Sequence, residues 1–227
     1  MKKTITALMC AAIILSGCGN VSNTAKGTAF GSAAGVAVGS IVGALAGKDG
    51  KSTAIGAAIG TAVGAGVGAI IGNKMDKKAA EMAALEGAQV EIVKDANDLD
   101  AIKVTFDSGI LFATNKSALN DASKKALADF VKNMSDMKDT DVTIYGHTDN
   151  TGKAEFNEKL SLERAQSVAN YLKGLGMENK MVVEGKSWTM PVASNDTAEG
   201  RQQNRRVEVY ISANQNMIEA AENGTLN

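Results

Sequence analysis

Glycine recurs at every fourth position through much of the first third of the chain, and this period constrains the fold more than any other feature. The series runs through positions 27, 31, 35, 39, 43 and 47 and resumes, after the polar link KDGKS, through 56, 60, 64, 68 and 72. A spacing of four places the glycines on nearly one face of an α-helix. Each glycine costs an isolated helix about 1 kcal/mol relative to alanine, so the series makes sense only where another backbone packs against that face. We therefore predict a hairpin of two helices over residues 27–72.

The predicted arms, residues 27–47 and 52–72, are long enough to cross a bilayer. Each arm has 21 residues and no charge, which corresponds to about 31 Å of helix. The arms are mostly glycine and alanine, so the sequence leaves open whether the hairpin spans the membrane or packs against it. The segment resembles the glycine-zipper regions of bacterial outer-membrane lipoproteins. Close contact of the glycine faces, as in small-residue packing within membranes, would also permit a homo-oligomer.

The chain begins with the features of a secretory signal. Lys2 and Lys3 precede a mostly apolar run over residues 5–15, which is too short to be a spanning helix. The stretch LSGC resembles the lipobox of bacterial lipoproteins and is favoured over a chance cysteine because it lies where a signal should end. That resemblance implies a signal peptide at 1–17, a lipid such as palmitate on Cys18 and a lipidated tether at 18–26. It also implies an outer-membrane location facing the periplasm, and Gly19 resembles the sorting pattern of some such lipoproteins.

The cysteine content and the net charge argue against a disulfide-stabilised fold and against a nucleic-acid partner. Cys10 is removed with the signal, so the mature chain retains Cys18 alone and has no disulfide. Loss of Lys2 and Lys3 leaves 22 basic residues against 25 acidic ones, a net charge of −3. This near balance argues against a nucleic-acid partner, which normally requires a strongly basic surface.

The rest of the chain divides by composition into a connector, a folded domain and a tail. Residues 73–99 form the predicted connector and include a short charged helix with Lys77 and Glu81 at i, i+4. Every mature aromatic residue except Phe30 lies between Phe106 and Tyr210, which indicates the core of a domain at 100–213. The tail is 214–227, and the sequence leaves open whether it is ordered.

Hydrophobic periodicity within this domain predicts an α/β sandwich with helices on a mixed sheet. The stretches QVEIVK and LDAIKVTF flank the turn-like DAND and predict a β-hairpin. Helices are predicted over 117–134 and over 155–175, the second closed by Gly176. The stretches DVTIYGH, MVVEGKSW and RRVEVYIS predict three further strands.

The stretch GHTDNTGKAEFNEKLSLERAQSV places a carboxylate and a guanidinium on neighbouring elements. Asp149 follows a strand on a polar turn, and Arg164 lies in the second helix. At 100° per residue, Arg164 lies on the flank of the apolar stripe together with Asn157 and Leu160. That stripe is predicted to comprise Leu162, Ala165, Val168, Ala169 and Leu172. Asp149 and Arg164 could pair with each other, or they could bracket a zwitterion, the acid binding an ammonium and the arginine a carboxylate.

The motif GHTDNTG…N..LS..RAQSV, followed by QNRRVEVY, resembles the OmpA C-terminal-like peptidoglycan-binding family over roughly residues 100–212. The resemblance implies that Asp149 and Arg164 hold the two ends of the diaminopimelate residue of a peptidoglycan stem. It implies accessory contacts from Thr148, Asn157, Leu160 and one of Arg205 and Arg206, the other arginine making an internal salt bridge. One departure is Ala113, where many relatives carry an aspartate, so Asn115 or the loop backbone is expected to line the site instead.

These features together predict an outer-membrane lipoprotein that binds peptidoglycan non-covalently and tethers the membrane to the wall. The alternative hypothesis is a membrane oligomer or pore formed by the glycine hairpins of several copies, with the wall-binding domain only positioning it. Replacing Gly35 and Gly64 with leucine would discriminate the two, because it should abolish oligomers and leave wall binding unchanged.

No catalytic or metal site is predicted. His147 is the only histidine, and the spacing of His147, Asp149 and Ser161 does not suggest a catalytic relay, so we interpret His147 as a hydrogen-bonding residue at a strand end. One histidine and one lipidated cysteine are too few for a metal site. GAGVG at 64–68 continues the four-residue period and follows no strand, so no nucleotide cofactor is expected. Trp188 and Tyr145 are expected in the core rather than on a sugar-stacking surface.

Overall fold

A computed structural model describes residues 63–226 of the chain. The predicted signal peptide, Cys18, the tether and the hairpin up to residue 62 lie outside the described residues, as does Asn227. Among residues 63–226, no helix combines the length and the apolar character that crossing a membrane requires.

A five-stranded mixed sheet forms the centre of the described region. Its strands are β1 (Ala88–Lys94), β2 (Asp100–Asp107), β3 (Thr140–Gly146), β4 (Met181–Gly185) and β5 (Arg206–Ala213). The order across the sheet is β1-β2-β5-β3-β4, and all neighbours are antiparallel except β3 and β4. The last strand in the chain is therefore the central one, and it is buried at all eight positions. The predicted combination of helices with a mixed sheet is confirmed.

The β1–β2 hairpin forms as predicted, around a turn held by one aspartate. The Asp95 carboxylate accepts hydrogen bonds from the backbone N–H groups of Asn97 and Leu99, at 2.7 and 2.9 Å. Asp98 takes a positive φ of 60°, a conformation that aspartate tolerates better than most residues. The sheet thus begins at β1, inside the segment that the sequence assigned to a connector.

Within residues 63–226, six helices accompany the sheet: α1 (Ala65–Met82), α2 (Ser108–Leu111), α3 (Asp121–Asn133), α4 (Ala154–Gly174), α5 (Ala198–Asn204) and α6 (Gln215–Glu222). The predicted helix over 117–134 begins four residues too early, because Asn120 caps α3 by accepting from the Ser123 N–H at 2.9 Å. Helix α4 agrees with its prediction, and Gly176 takes a φ of 88° just beyond it.

Helix α4 packs very closely on the sheet, over two glycines of the neighbouring strands. A Cβ at Gly146 would overlap the carbonyl oxygen of Ser161, and one at Gly185 would lie 2.6 Å from Ser161 Oγ. The small Ser161 therefore faces the strands, whereas Leu162 is 46% exposed, so its predicted place in the stripe was wrong. Ala165, Val168, Ala169 and Leu172 are fully buried as predicted. The same orientation buries Arg164.

Helix α1 runs without a break through the predicted boundary between the glycine hairpin (27–72) and the connector (73–99). It packs on β1, β2 and α6, and Ile71, Met75 and Met82 on it are fully buried. Glu81, which the sequence places at i, i+4 from Lys77, pairs with the buried Lys78 at 2.6 Å, and Lys78 also contacts Asp136 at 2.7 Å.

The last helix belongs to the fold, and the two aromatic residues that the sequence placed in the core differ in burial. Within the predicted tail, α6 packs onto the fold and buries Met217, Ile218 and Ala221. Tyr145 is buried as expected, but Trp188 is 41% exposed, so its placement in the core was wrong. Trp188 lies in the turn after β4.

Candidate functional site

A cleft of about 550 Å³ opens at the end of the sheet where β3 finishes and β5 begins. The turn after β3 contributes Thr148 and Asp149, and the first half of α4 contributes Asn157, Leu160 and Arg164. The segment before β5 and the loop between β2 and α3 line the remaining sides. Six of the seven residues that the sequence predicted for binding, all but Arg206, therefore meet here, although they come from separate elements.

Asp149 is held as an ionised carboxylate. Its Oδ2 lies 2.6 Å from Nη1 of Arg205, and its Oδ1 accepts a hydrogen bond from the Thr151 N–H at 2.8 Å. Burial raises the pKa of this carboxyl. The hydrogen bonds from Arg205 and Thr151 lower that pKa by more than burial raises it, so the net shift is downward. Asp149 is therefore negative at neutral pH.

Arg164 is a buried guanidinium without an acidic partner. It is 4% exposed, its Nε donates to the Lys116 carbonyl at 3.1 Å, and its guanidinium lies 5.1 Å from the centroid of the Phe112 ring. Among residues 63–226, no carboxylate lies within salt-bridge distance of it. Burial and the nearby Arg205 lower its pKa and Asp149 raises it, but an arginine remains a cation at neutral pH. The simple alternative, in which Asp149 pairs with Arg164, is therefore not what forms.

The supporting residues hold the turn or line the wall. The Asn157 side-chain amide donates to the carbonyls of Asp149 and Thr151 at 3.3 and 3.0 Å, which fixes the turn against α4. Leu160 gives the cleft an apolar side. The hydroxyl of Thr148 is buried with no hydrogen-bond partner among the described residues.

The two adjacent arginines, Arg205 and Arg206, have different surroundings. Arg205 lines the cleft and pairs with Asp149. Arg206 is directed away from the cleft, and its Nε bonds the buried carboxylate of Glu208 at 2.8 Å. Burial raises the pKa of Glu208. The hydrogen bond from His147 and the charges of Arg206 and Lys103 lower that pKa by more than burial raises it, so the net shift is downward. Arg206 therefore belongs to an internal network.

His147 belongs to the same network. Its Nε2 lies 3.1 Å from Glu208 just beyond β3, which agrees with its interpretation as a strand-end residue. Burial lowers the pKa of His147, so the ring is neutral at pH 7. Ser161 Oγ donates to the Glu158 carbonyl and accepts from the Ser187 N–H, and within residues 63–226 it makes no hydrogen bond to His147 or Asp149.

Three residues that the sequence did not single out also line the cleft: Arg201, Phe112 and Phe156. A signal for the arginine was present: the chain has 24 basic residues, of which only Arg164, Arg201, Arg205 and Arg206 are arginines. Three of these four line one cleft. Arginine in a chain that otherwise uses lysine indicates bidentate recognition of an anion.

The loop that carries Ala113 still contributes to the cleft. Thr114 and Asn115 line it, and Asn115 takes a positive φ of 56°. The expectation that Asn115 compensates for the missing acid in lining the site is consistent with this position.

Comparison with known proteins identifies the domain. Residues 111–205 match the model of the OmpA family, and residues 1–76 match the YMGG-like Gly-zipper model. The cell wall anchor of the T6SS from Pseudomonas aeruginosa is 31% identical in sequence, with a TM-score of 0.51 over 61% of this chain and 96% of that one. The chain belongs to the OmpA family. Asp149, Arg164, Arg201 and Arg205 all lie within the matched residues of the OmpA-family domain.

Two curated relatives of this OmpA-family chain are similar over the same domain. The outer-membrane lipoprotein YfiB of Pseudomonas aeruginosa is 37% identical over 107 residues, 47% of this chain. The peptidoglycan-binding protein ArfA of Mycobacterium tuberculosis is 36% identical over 113 residues, 49% of this chain. The chain spans 64% of the length of YfiB and 35% of the length of ArfA.

Proposed function

We propose that this OmpA-family chain is a lipid-anchored outer-membrane protein that binds peptidoglycan without covalent chemistry and tethers the membrane to the wall. The observation that carries the proposal is the pair of opposite charges in the cleft, with the ionised Asp149 near an Arg164 that lacks an acidic partner. The name of ArfA and the description of the T6SS protein as a cell wall anchor support the choice of peptidoglycan.

The ligand that fits this arrangement is the side-chain end of diaminopimelate, which carries an ammonium and a carboxylate on one carbon. Arg164 binds the carboxylate with its remaining donors, and Asp149 binds the ammonium. A carboxylate has about four acceptor positions, and in Asp149 Arg205 and Thr151 use two of them. The ammonium can therefore bind without displacing Arg205.

Tethering follows from many weak contacts. Each charge-assisted hydrogen bond contributes about 1.5–3 kcal/mol, and desolvation offsets part of it, so one cleft on one stem binds weakly and reversibly. The wall repeats the stem many times, and the lipid on Cys18 keeps the domain close to it. A high local concentration converts weak binding into persistent attachment.

The membrane side of the proposal rests on the N-terminal third of the chain. The lipobox-like LSGC provides the lipid at Cys18 after removal of a signal peptide, and the hairpin at 27–72 adds contact with the membrane. The match of residues 1–76 to the YMGG-like Gly-zipper model supports the assignment of this segment. The domain then faces the periplasm, where the wall lies.

Co-sedimentation with purified cell-wall sacculi tests the proposal. The full chain in detergent should pellet with sacculi, and Asp149→Ala and Arg164→Ala should each lower the apparent affinity at least about tenfold, the equivalent of ~1.4 kcal/mol. Lys173→Ala is the matched control, because it removes an exposed charge from the far end of α4. Melting curves should show all variants folded.

Two results would contradict the proposal. One is wild-type protein that stays in the supernatant. The other is sedimentation of the Asp149 and Arg164 variants as efficient as that of the wild type, which would make the charged pair purely structural.

A further inference from the structure

The cleft contains more positive charge than its proposed ligand end requires. Arg164, Arg201 and Arg205 line it, and Asp149 is the single acidic residue among its lining residues. Asp149 and Arg205 neutralise each other at 2.6 Å. Two guanidinium groups, those of Arg164 and Arg201, remain without an acidic partner among residues 63–226. A binding surface of this kind complements a ligand with two negative groups.

Arg201 is fixed in place by its surroundings. It lies in α5, which Thr197 caps by accepting from the Gly200 N–H at 3.0 Å. Its Nη1 donates to the Asn195 carbonyl at 2.8 Å. A Cβ at Gly200 would overlap the carbonyl oxygen of Ser194, so the helix packs directly on the loop that holds Arg201. This anchoring leaves the other guanidinium donors of Arg201 for the cleft.

We propose that Arg201 binds a second carboxylate of the stem peptide, so that the cleft selects stems in which two carboxylates are free. The inference rests on the proposed function, in which Arg164 binds the side-chain carboxylate of diaminopimelate. Two sources supply the second group: the α-carboxylate of the γ-linked glutamate before diaminopimelate, or the C-terminal carboxylate of a short stem. Amidation of either group removes its charge and preserves its shape, which makes the amide the appropriate probe.

Competition for sacculi measures this selection on the full chain in detergent. The probes are the tripeptide L-Ala-γ-D-Glu-meso-diaminopimelate, the same peptide amidated at the glutamate α-carboxyl, and the same peptide amidated at its C-terminus. The measured quantity is the concentration of each peptide that releases half of the bound protein. We expect amidation at one of the two positions to raise this concentration about tenfold, and the affected peptide identifies the carboxylate that Arg201 binds.

Variants assign the selection to Arg201. Arg201→Gln should bind the free tripeptide as weakly as the amidated one, because two changes that remove the same contact are not additive. Arg201→Lys keeps the charge without the planar donor pair and should recover part of the difference. Lys173→Gln, with the same charge change outside the cleft, should retain the full wild-type selection.

The outcomes separate this inference from the function on which it rests. Equal release of wild-type protein by all three peptides would overturn the role of Arg201 and leave peptidoglycan binding intact. The same conclusion follows if Arg201→Gln retains the full difference. Failure of the wild type to bind sacculi, or of the free tripeptide to compete, would overturn both proposals. The wild-type comparison alone decides the question if the variants do not fold.

Discussion

At the residue scale, Arg164 and Arg206 show two ways of burying a guanidinium. Both are almost fully buried, but Arg206 bonds Glu208 at 2.8 Å whereas Arg164 has a backbone carbonyl and an aromatic ring. A buried charge without an opposite charge costs stability, and a bound carboxylate would remove that cost. Arg164 thus keeps the empty protein less stable than it could be.

This difference predicts opposite effects of the same substitution. Arg164→Met, which preserves much of the packing on Phe112, should raise the free energy of unfolding by about 1 kcal/mol while abolishing binding to sacculi. Arg206→Met should lower it by about 3–5 kcal/mol, because Glu208 would be left buried with a weakened set of partners. Urea denaturation of both variants measures the two effects. A loss of stability in Arg164→Met comparable to that in Arg206→Met would show that Arg164 is structural.

The residues of the candidate site could be predicted from the sequence only in part. Asp149, Arg164 and Asn157 lie in one short motif, so local spacing was enough to group them. Arg201 and Phe112 come from segments far apart in the chain and reach the cleft only because β5 inserts between β2 and β3. At the start of β5, Arg205 and Arg206 extend to different sides of the chain. This direction decides which of the two lines the cleft. No local pattern encodes that direction.

At the element scale, the position of α4 is set by two glycines in neighbouring strands. Gly146 ends β3 and Gly185 ends β4, and both lie under Ser161. Their missing side chains let the helix backbone approach the sheet, and this approach determines the depth of Arg164 in the cleft. The sequence predicted α4 from its apolar period, but the period alone could not reveal this close contact. For this reason the apolar period wrongly placed Leu162 in the stripe that faces the sheet.

Gly146→Ala tests the importance of that contact. The added methyl group would overlap the backbone of α4, which cannot move away as a flexible side chain would, so we expect a loss of about 1–3 kcal/mol or more. Sacculus binding should fall as well, because a displaced α4 carries Arg164 with it. Gly174→Ala, in the same helix with open space around it, should be neutral or stabilising by about 0.5–1 kcal/mol. Equal thermal stabilities of the two variants would contradict this account.

At the scale of the whole molecule, the folded unit is larger than the domain predicted at 100–213. It includes β1, α1 before it and α6 after β5, which bury apolar side chains together. Composition placed the boundary later because α1 is rich in alanine and lysine and resembles a solvated connector. Only packing reveals that Ile71, Met75 and Met82 on this helix belong to the core.

A fragment that begins at residue 88 should therefore be much less stable than one that begins at residue 63. Removal of α1 deletes three fully buried side chains, each contributing about 1.5–3 kcal/mol, so the expected loss is about 5 kcal/mol or more. That is comparable with the total stability of a typical domain, of about 5–15 kcal/mol. Urea unfolding followed by circular dichroism compares the fragments. Equal unfolding midpoints would show that α1 does not stabilise the fold and would support the shorter domain predicted at 100–213.

The packing of α1 also has a mechanical consequence. If the cleft holds the wall and the N-terminal segment is held at the membrane, tension between the two layers enters the fold along this helix. Val63 and Val67 already pack against the core, and Gly72 allows the helix to meet Asp100 of β2 without an intervening side chain. Load applied at residue 63 therefore reaches the sheet through a packed helix about 27 Å long, with no hinge between residues 65 and 82.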